Sequence, residues 1–540
     1  MIVQKDGQAA FVLDELADMR SARSALEDKW REITDYVHPM RAELTEGPNA
    51  RRKGRVFDAT PALAAGNLAA GLWGMVTNPA NRWFRLTPTD PIAAQDHNTR
   101  LWLERASDLM LDALIVRGMR FYAAAIDLFA DLVTYGTAVF YVEDGPRGLR
   151  FSCRNLAECY IGEDADEQVD RIFRRFTLTA HQAHGLWGDA AGPSVVKAMI
   201  KNRPRERFAF VHAVFPREDR EPGKLDSCQL PFASVIVSEA DKLLVREGGY
   251  HEFPFQVPRW TKRSGNVYGE SPAMLALPDV KMLNAMGKTT IVAAQRAADP
   301  PLLAPDENTF RSLRTQPGGI IYGGMDYDGR RRVEPLLTGA NVPLSLELEE
   351  QRRDAVREAF HFSLLMMIQK PGMTATEVLA RQEERIRLMG PHLGRIQSEF
   401  LSPLVERVFG LLMRAGAFGP PPPALLAGPG MKIEYTSPIA RAHKAGEANA
   451  TLRALDAIAP LAAADPSVMD IVDIDAAARA VIEAGGVPPS VLRDPQSIIE
   501  RRAVRNEADA VRAVAEHAEP VARAVKTMTE IKEKEEKKDA

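Results

Sequence analysis

The amino-acid sequence predicts an α+β chain that is predominantly helical, and three observations carry that prediction. Apolar residues recur at helical spacing through the first 135 residues and again beyond residue 271. Alternating runs bounded by turn residues are concentrated between 137 and 262. The composition, 45% hydrophobic, 26% charged and 7% aromatic, is that of a folded chain and not of a disordered or collagen-like one. With 540 residues there is room for roughly three or four domain-sized units.

Taken in order, Leu13, Leu16, Leu26, Trp30, Ile33 and Val37 predict an amphipathic helix that closes at His38-Pro39. Residues 45–55 are polar and basic and predict a loop, whereas 58–76 has Asp58 or Thr60 to cap a helix, Pro61 near its start and small side chains that let a neighbour approach closely. Helices follow over 97–116 and 120–135. Strands are predicted at 137–143, 149–153, 157–161, 169–177, 208–215, 233–237 and 243–246, with helices at 179–188 and 193–201.

After Ser271-Pro272 a short helical turn is interrupted by Pro278, and Asp279 to Ala298 runs on as a rod of about 30 Å. Residues 302–340, with Gly318-Gly319 and Gly323-Gly324, predict a compact excursion of short strands and turns. Pro343 opens a second long helix to about Ile368. Lys370-Pro371-Gly372 is a turn, Thr374 and Glu377 match a capping box, and helix resumes to Gly390-Pro391 and again from His392 to about Ala415. A rigid connector at Pro420 to Pro423, a strand at 431–436, alanine-rich helices over 439–484 broken near Asp465-Pro466, and a charged helical stretch from 497 complete the chain.

Several function classes are disfavoured. The 69 basic and 73 acidic residues leave a formal net charge of -4, so any contact with nucleic acid must be local or weak. Cys153, Cys159 and Cys228 form no C-x-x-C pair, which argues against a disulfide framework and a cysteine-rich zinc site and fits a reducing cytoplasm. Neither a signal peptide nor a membrane-spanning run is predicted.

Gly287-Lys288-Thr289-Thr290 resembles the end of a phosphate-binding P-loop, but Met282 stands where that pattern needs glycine, and the run lies inside a predicted helix. The histidines are scattered, and His212 and His361 read as packed or surface residues. Glu349-Glu350 and Glu383-Glu384 could serve a metal nuclease, yet neighbours on a helix point about 100° apart and read better as a solvated face. Neither a cofactor nor a catalytic or metal site is expected. Arg51-Arg52-Lys53 and Arg330-Arg331-Arg332 could each neutralise phosphates or simply be solvated basic turns.

Three segments read together resemble the portal, or head-to-tail connector, proteins of podoviruses. They are Trp30-Arg31-Glu32-Ile33 through His38-Pro39 with Val56-Phe57-Asp58-Ala59-Thr60 and LAAGLWGMVTNPANRWFRL (68–86); DLVTYGTAVFYVE (131–143); and VYGESPAMLALPDVKMLNAMGKTTIVAAQRAADPPLLAP (267–305). The likeness runs in order over about residues 11 to 440. It implies a phage portal fold: a ring, usually of twelve subunits, with wing, stem, clip and crown regions around an axial channel. Residues 1–270 and 376–438 would make the wing, 271–299 and 342–368 the stem helices, 300–341 the clip, 369–375 the tunnel loop and 439–540 the crown with its helical tail.

The resemblance implies a non-enzymatic protein of the virion, at the capsid portal vertex, assembled in the host cytoplasm. Its partners would be its own copies, double-stranded DNA in the channel, the terminase large subunit, a tail adaptor or head-completion protein, and the major capsid and scaffolding proteins, with no membrane. Gln369, Lys370 and Met373 are candidates for the channel, and Arg330, Arg331 and Arg332 for docking or phosphate contact. Leu283, Met286, Phe360, Leu364 and Met367 are candidates for the stem interface, packing within one subunit being the competing account. A nucleotide- or metal-dependent nucleic-acid enzyme and a capsid scaffold are the alternatives.

Overall fold

The computed structural model describes residues 5–39, 56–90, 93, 96–115, 120–145, 148–221, 223–224, 226–303, 325, 327–331, 334–335, 342–366, 375–427, 430–435, 448, 450–460, 471–484, 491, 493, 497–510 and 526–528. Helices α1 (Lys5–Tyr36) and α2 (Thr60–Val76) precede strand β1 (Phe84–Pro88) and α3 (His97–Ile115). Helix α4 (Arg120–Tyr135) leads into β2 (Val139–Gly145), β3 (Gly148–Arg154), β4 (Cys159–Glu163) and β5 (Val169–Thr179). Helices α5 (Ala180–Trp187) and α6 (Pro193–Ile200) come before β6 (Arg207–Pro216), β7 (Phe232–Ser238), β8 (Leu243–Tyr250) and β9 (Phe255–Gln256). Next come α7 (Pro272–Ala298), the short strands β10 (Leu302–Leu303) and β11 (Glu334–Pro335), α8 (Val342–Ala359), α9 (Phe362–Met366) and α10 (Ala375–Ile396). A π-helical stretch, Gln397–Leu401, leads to α11 (Ser402–Arg414), and α12 (Pro423–Ala427), β12 (Met431–Tyr435) and the helix Ile474–Ala484 follow. The α+β, mostly helical class is as the sequence predicts.

The chain divides into two compact units, Met1–Trp83 with Leu109–Gly419, and Phe84–Asp108 with Pro420–Ala540. In the first, an antiparallel sheet of order β4-β5-β6-β7-β8 is covered on both faces. The two-residue period of a strand sorts its side chains. Val211, Ala213, Val235 and Val237 pack on Ala9, Val12 and Leu16 of α1, while Phe210, Ile236 and Val245 pack on Ala180, Ala183, Val195 and Ala198 of α5 and α6. Thr179 and Gln182 close a reciprocal capping box at the start of α5.

A second sheet, β3-β2-β9, lies with α4 in an aromatic core. Phe121 meets Phe140 and Phe151 edge-on at 5.9 and 5.4 Å, and Phe140 meets Phe400 at 5.3 Å. Such pairs add about 0.5–1.5 kcal/mol each beyond their burial. The α4-to-β2 turn requires glycine: Gly136 has φ +79°, and a Cβ there would collide with the backbone of Gly269 and Glu270.

In the second unit β1 pairs antiparallel with β12, from Phe84 opposite Tyr435 to Pro88 opposite Met431. Arg85 and Glu434 pair across it at 2.8 Å. Ser107 Oγ accepts from Leu86 N at 2.9 Å and donates to Leu103 O at 2.7 Å. Arg502 pairs with Asp475 at 2.6 Å, joining the helix Ile474–Ala484 to the helical residues 497–510.

Three boundaries differ from the sequence expectation. Pro278 does not interrupt: α7 starts at Pro272, because Ser271 caps it and Ala273, Ala276 and Leu277 are buried, which outweighs the backbone bond lost at the proline. Likewise α10 continues through Gly390-Pro391 to Ile396 and yields to the π-helical stretch. The predicted 343–368 helix is broken at Phe360-His361, where His361 takes φ +55°. Strands β1 and β9 answer no expectation, and the break near Asp465-Pro466 falls outside the described residues.

Candidate interaction site on the paired helices

The paired helices α7 and α8 are antiparallel neighbours, and the residues that join them explain two sequence motifs. Glu349 is buried on α8, and its carboxylate accepts from Thr290 Oγ1 of α7 at 2.5 Å and from Arg353 at 3.0 Å. Arg352 of α8 pairs with Asp279 of α7 at 3.0 Å. The segment Phe57-Asp58 locks both helices: Phe57 N donates to Asn284 Oδ1 at 2.7 Å, and Arg353 reaches Asp58 at 2.8 Å. Burial pushes the Asp58 carboxyl up, but hydrogen bonds from Thr60 and Arg353 outweigh it and hold the pKa below its ordinary value. Lys281 pairs with Glu32 of α1 at 2.6 Å.

This settles the P-loop resemblance. Gly287 lies within α7 facing Phe57, and Thr289 bonds back to Ala285 O, so the run is a helix-packing surface and not a phosphate-wrapping loop. Glu349 and Glu350 point apart, one buried and one exposed. His212 is buried, and His361 lies 5.9 Å from His392, which stacks on Trp260 at 4.1 Å. Burial holds both histidines below their ordinary pKa. Among the described residues no cluster of His, Cys, Asp or Glu could hold a metal ion, and no helix is long and apolar enough to cross a membrane. Cys153, Cys159 and Cys228 form no disulfide.

The expected interface residues divide. Leu283 and Phe360 are wholly covered by their own chain, so packing within one subunit accounts for them. Met286 and Leu364 are half-buried, and Met367 lies outside the described residues. Among the described residues, the large apolar side chains that α7 and α8 expose are Leu275, Met282, Ile291, Val292, Leu346 and Leu348. From Lys288 onward α7 is exposed almost all round. Beyond it β10 pairs with β11, and Met325 bridges to Arg331; Arg330 and Arg331 are exposed, while Arg332 lies outside the described residues. So do Gln369, Lys370 and Met373.

A clamp that the sequence did not reveal lies between β9 and α7. Arg259 is 1% exposed; its guanidinium bonds Glu399 at 2.7 Å as well as Glu163, and Lys262 holds Glu163 at 3.0 Å and Glu167 at 2.7 Å. Burial would lower the Arg259 pKa, but Glu399 and Glu163 outweigh it and raise it. The β4–β5 hairpin, the segment 259–262 and the π-helical stretch are thereby tied together. Arg23 does similar work on α1, donating to the carbonyls of Leu156, Cys159 and Ala157 and lying 3.7 Å over the Tyr160 ring. An arginine in the apolar stripe of a predicted helix was the one available signal.

The paired helices are thus cross-braced by the Arg352–Asp279 ion pair and the Thr290–Glu349 hydrogen bond, and large apolar residues are left uncovered along them. The family model for the bacteriophage head to tail connecting protein matches residues 11–492, and the chain belongs to that family. It is 30% identical over 535 residues to the portal protein of Salmonella phage epsilon15, covering 96% of this chain and 95% of that one. It is also 30% identical over 494 residues to a protein named as a probable portal protein in Bordetella phage BPP-1, covering 89% and 88%.

Proposed function

We propose that this chain is the repeating subunit of a portal: a ring at one capsid vertex of a tailed phage through which double-stranded DNA is packaged and ejected. The observation that carries this reading is the in-order match to the connector family over residues 11–492, with portal relatives aligned along nearly their whole lengths. In this reading the chain has the phage portal fold. Helices α7 and α8 are the stem, 300–341 the clip, 369–375 the tunnel loop, 1–270 with 376–438 the wing, and 439–540 the crown.

The ring, of twelve copies in the usual arrangement, would close through the apolar residues exposed on α7 and α8. Lys370, with Gln369 and Met373, would line the narrowest part of the channel. A duplex carries one charge per roughly 1.7 Å, and each neutralised phosphate adds grip, so a subunit of formal charge -4 suits DNA that must slide. Arg330, Arg331 and Arg332 would meet the terminase large subunit and later the tail adaptor, or touch phosphate. The subunit does no chemistry; a separate terminase motor supplies the energy, and capsid and scaffolding proteins surround the ring, which assembles in the host cytoplasm.

The test is electron microscopy of the purified full chain beside an ATP-hydrolysis assay. Rings with an axial hole and no turnover are expected. A monomer at every concentration, filaments without a channel, or turnover by the pure protein would overturn the reading.

A further inference from the structure

The sheet β3-β2-β9, one face of strands β5 to β8, and helix α11 enclose a cleft of about 420 Å³ that the portal reading does not use. That volume is in the range of small-ligand sites. Five arginines line it: Arg154 from β3, Arg174 from β5, Arg246 from β8, and Arg407 and Arg414 from α11. The strand register assembles part of this wall. Arg174 lies opposite His212, His212 opposite Ile236, and Ile236 opposite Arg246, so one row crosses four strands on one face. Gly248, two residues beyond Arg246 on the same face, also lines the cleft and leaves open space where a Cβ would stand.

Three of the five cations are answered. Glu158 takes Arg174 at 3.0 Å, and Glu252 takes Arg407 at 2.7 Å and Arg414 at 2.6 Å. Arg154 and Arg246 form no ion pair among the described residues. Among the described residues the Arg154 guanidinium carbon lies 5.1 Å from the Tyr141 ring, and the Glu158 carboxylate that Arg174 holds attracts it without bonding it. The Arg154 Nε is buried without an acceptor, and so is the Nε of Arg407. A buried donor left without an acceptor is destabilising, the more so when charged, so the cleft holds a standing demand for an anion. The carboxylates in its lining are Glu143 and Asp144, and Glu143 is 3.8 Å from Arg150.

The field at the floor is felt by His212. Burial, and after it the charges of Arg174, Arg154 and Arg246, hold its pKa down at about 3. The neutral ring shares a hydrogen bond with Ser234 Oγ at 2.9 Å. Beside the cations runs an aromatic wall in which the Tyr141 and Tyr250 hydroxyls bond each other at 3.0 Å and Phe255 lies 4.6 Å from Tyr141.

We propose that this cleft binds a small phosphate-bearing anion, with Arg154 and Arg246 as its two uncommitted guanidinium ligands. Two unanswered cations call for a dianion, which a phosphate monoester or free phosphate supplies and a single carboxylate does not. The forked guanidinium matches phosphate oxygens bidentately. The aromatic wall is placed to take the flat body of an attached base. Free phosphate and a nucleotide share the headgroup and differ in whether that wall contributes.

Calorimetric titration of the full chain with inorganic phosphate, and separately with a nucleoside monophosphate, tests this at fixed ionic strength against chloride. Saturable binding of one anion per subunit is expected, weakened by about ten-fold or more in both Arg154→Gln and Arg246→Gln, with Arg150→Gln unchanged. Tighter binding of the monophosphate assigns the wall to the base; equal binding assigns the site to phosphate alone. Should Arg154→Gln fold poorly, Arg246→Gln decides, because Arg246 is exposed. Absence of saturable binding, binding indifferent to both substitutions, or displacement by duplex DNA too large for the cleft would overturn the proposal.

Discussion

Arg259 has no solvent to turn to: its side chain is 1% exposed, and every group that it bonds is a carboxylate or a carbonyl. Removing one member of a buried ion cluster leaves the others uncompensated, which costs about 3–5 kcal/mol. Arg259→Met should therefore lower the thermal midpoint sharply, and Arg259→Met with Glu399→Gln should recover part of the loss, as differential scanning calorimetry can measure. His212 gives the opposite kind of prediction. Its folded pKa, about 3, is below the unfolded 6.5, so the unfolded chain binds the extra proton between those values. The stability that the neutral ring contributes is complete above pH 6.5 and lost as pH falls toward 3, at about 1.4 kcal/mol per pH unit. His212→Gln should flatten the dependence of the thermal midpoint on pH across that window; an unchanged slope would show that other groups set it. Neither residue could be paired from the sequence. Arg259 meets side chains 96 and 140 positions away, and no local period records such partners.

Elements were more legible than their junctions. Helix α4 and the strands of the five-stranded sheet fall within a few residues of the expected spans, because amphipathic period and turn residues are local signals. The failures share a cause. Prolines 278 and 391 sit inside helices because packing on both sides outweighs one lost backbone bond, and β9 is two residues long, recognisable only through β2 beside it. The same tertiary control governs the α7–α8 contact. Thr290→Val keeps the shape of the side chain and withdraws a hydrogen bond from buried Glu349, so a loss of about 1–3 kcal/mol is expected. Thr289→Val, on the exposed face one residue away, is the control. At the other end, Gly136→Ala sets a Cβ against the Gly269 carbonyl at positive φ and should cost more than about 1 kcal/mol in chemical denaturation.

On the scale of the whole molecule, the class and family were legible, since three separated motifs in order specify a chain better than any single site. The surface that joins copies was less so. Periodicity marks apolar positions without saying which of them the chain covers itself, and Leu283 and Phe360 prove to be covered. What remains exposed on α7 and α8 includes Ile291, Val292, Leu346 and Leu348. In the proposed ring each copy would place such residues against the next, and the same contact would recur at every boundary around the axis. A carboxylate introduced there must either be desolvated without a partner, at several kcal/mol, or hold the copies apart. Ile291→Asp should thus shift the purified protein from rings to monomers, read by mass photometry over a range of concentrations. Leu186→Asp, at an exposed position of α5, should leave rings intact. Rings that survive Ile291→Asp together with Leu348→Asp would place the boundary between copies on some other face of the chain, because two buried charges at every boundary of a closed ring could not be absorbed.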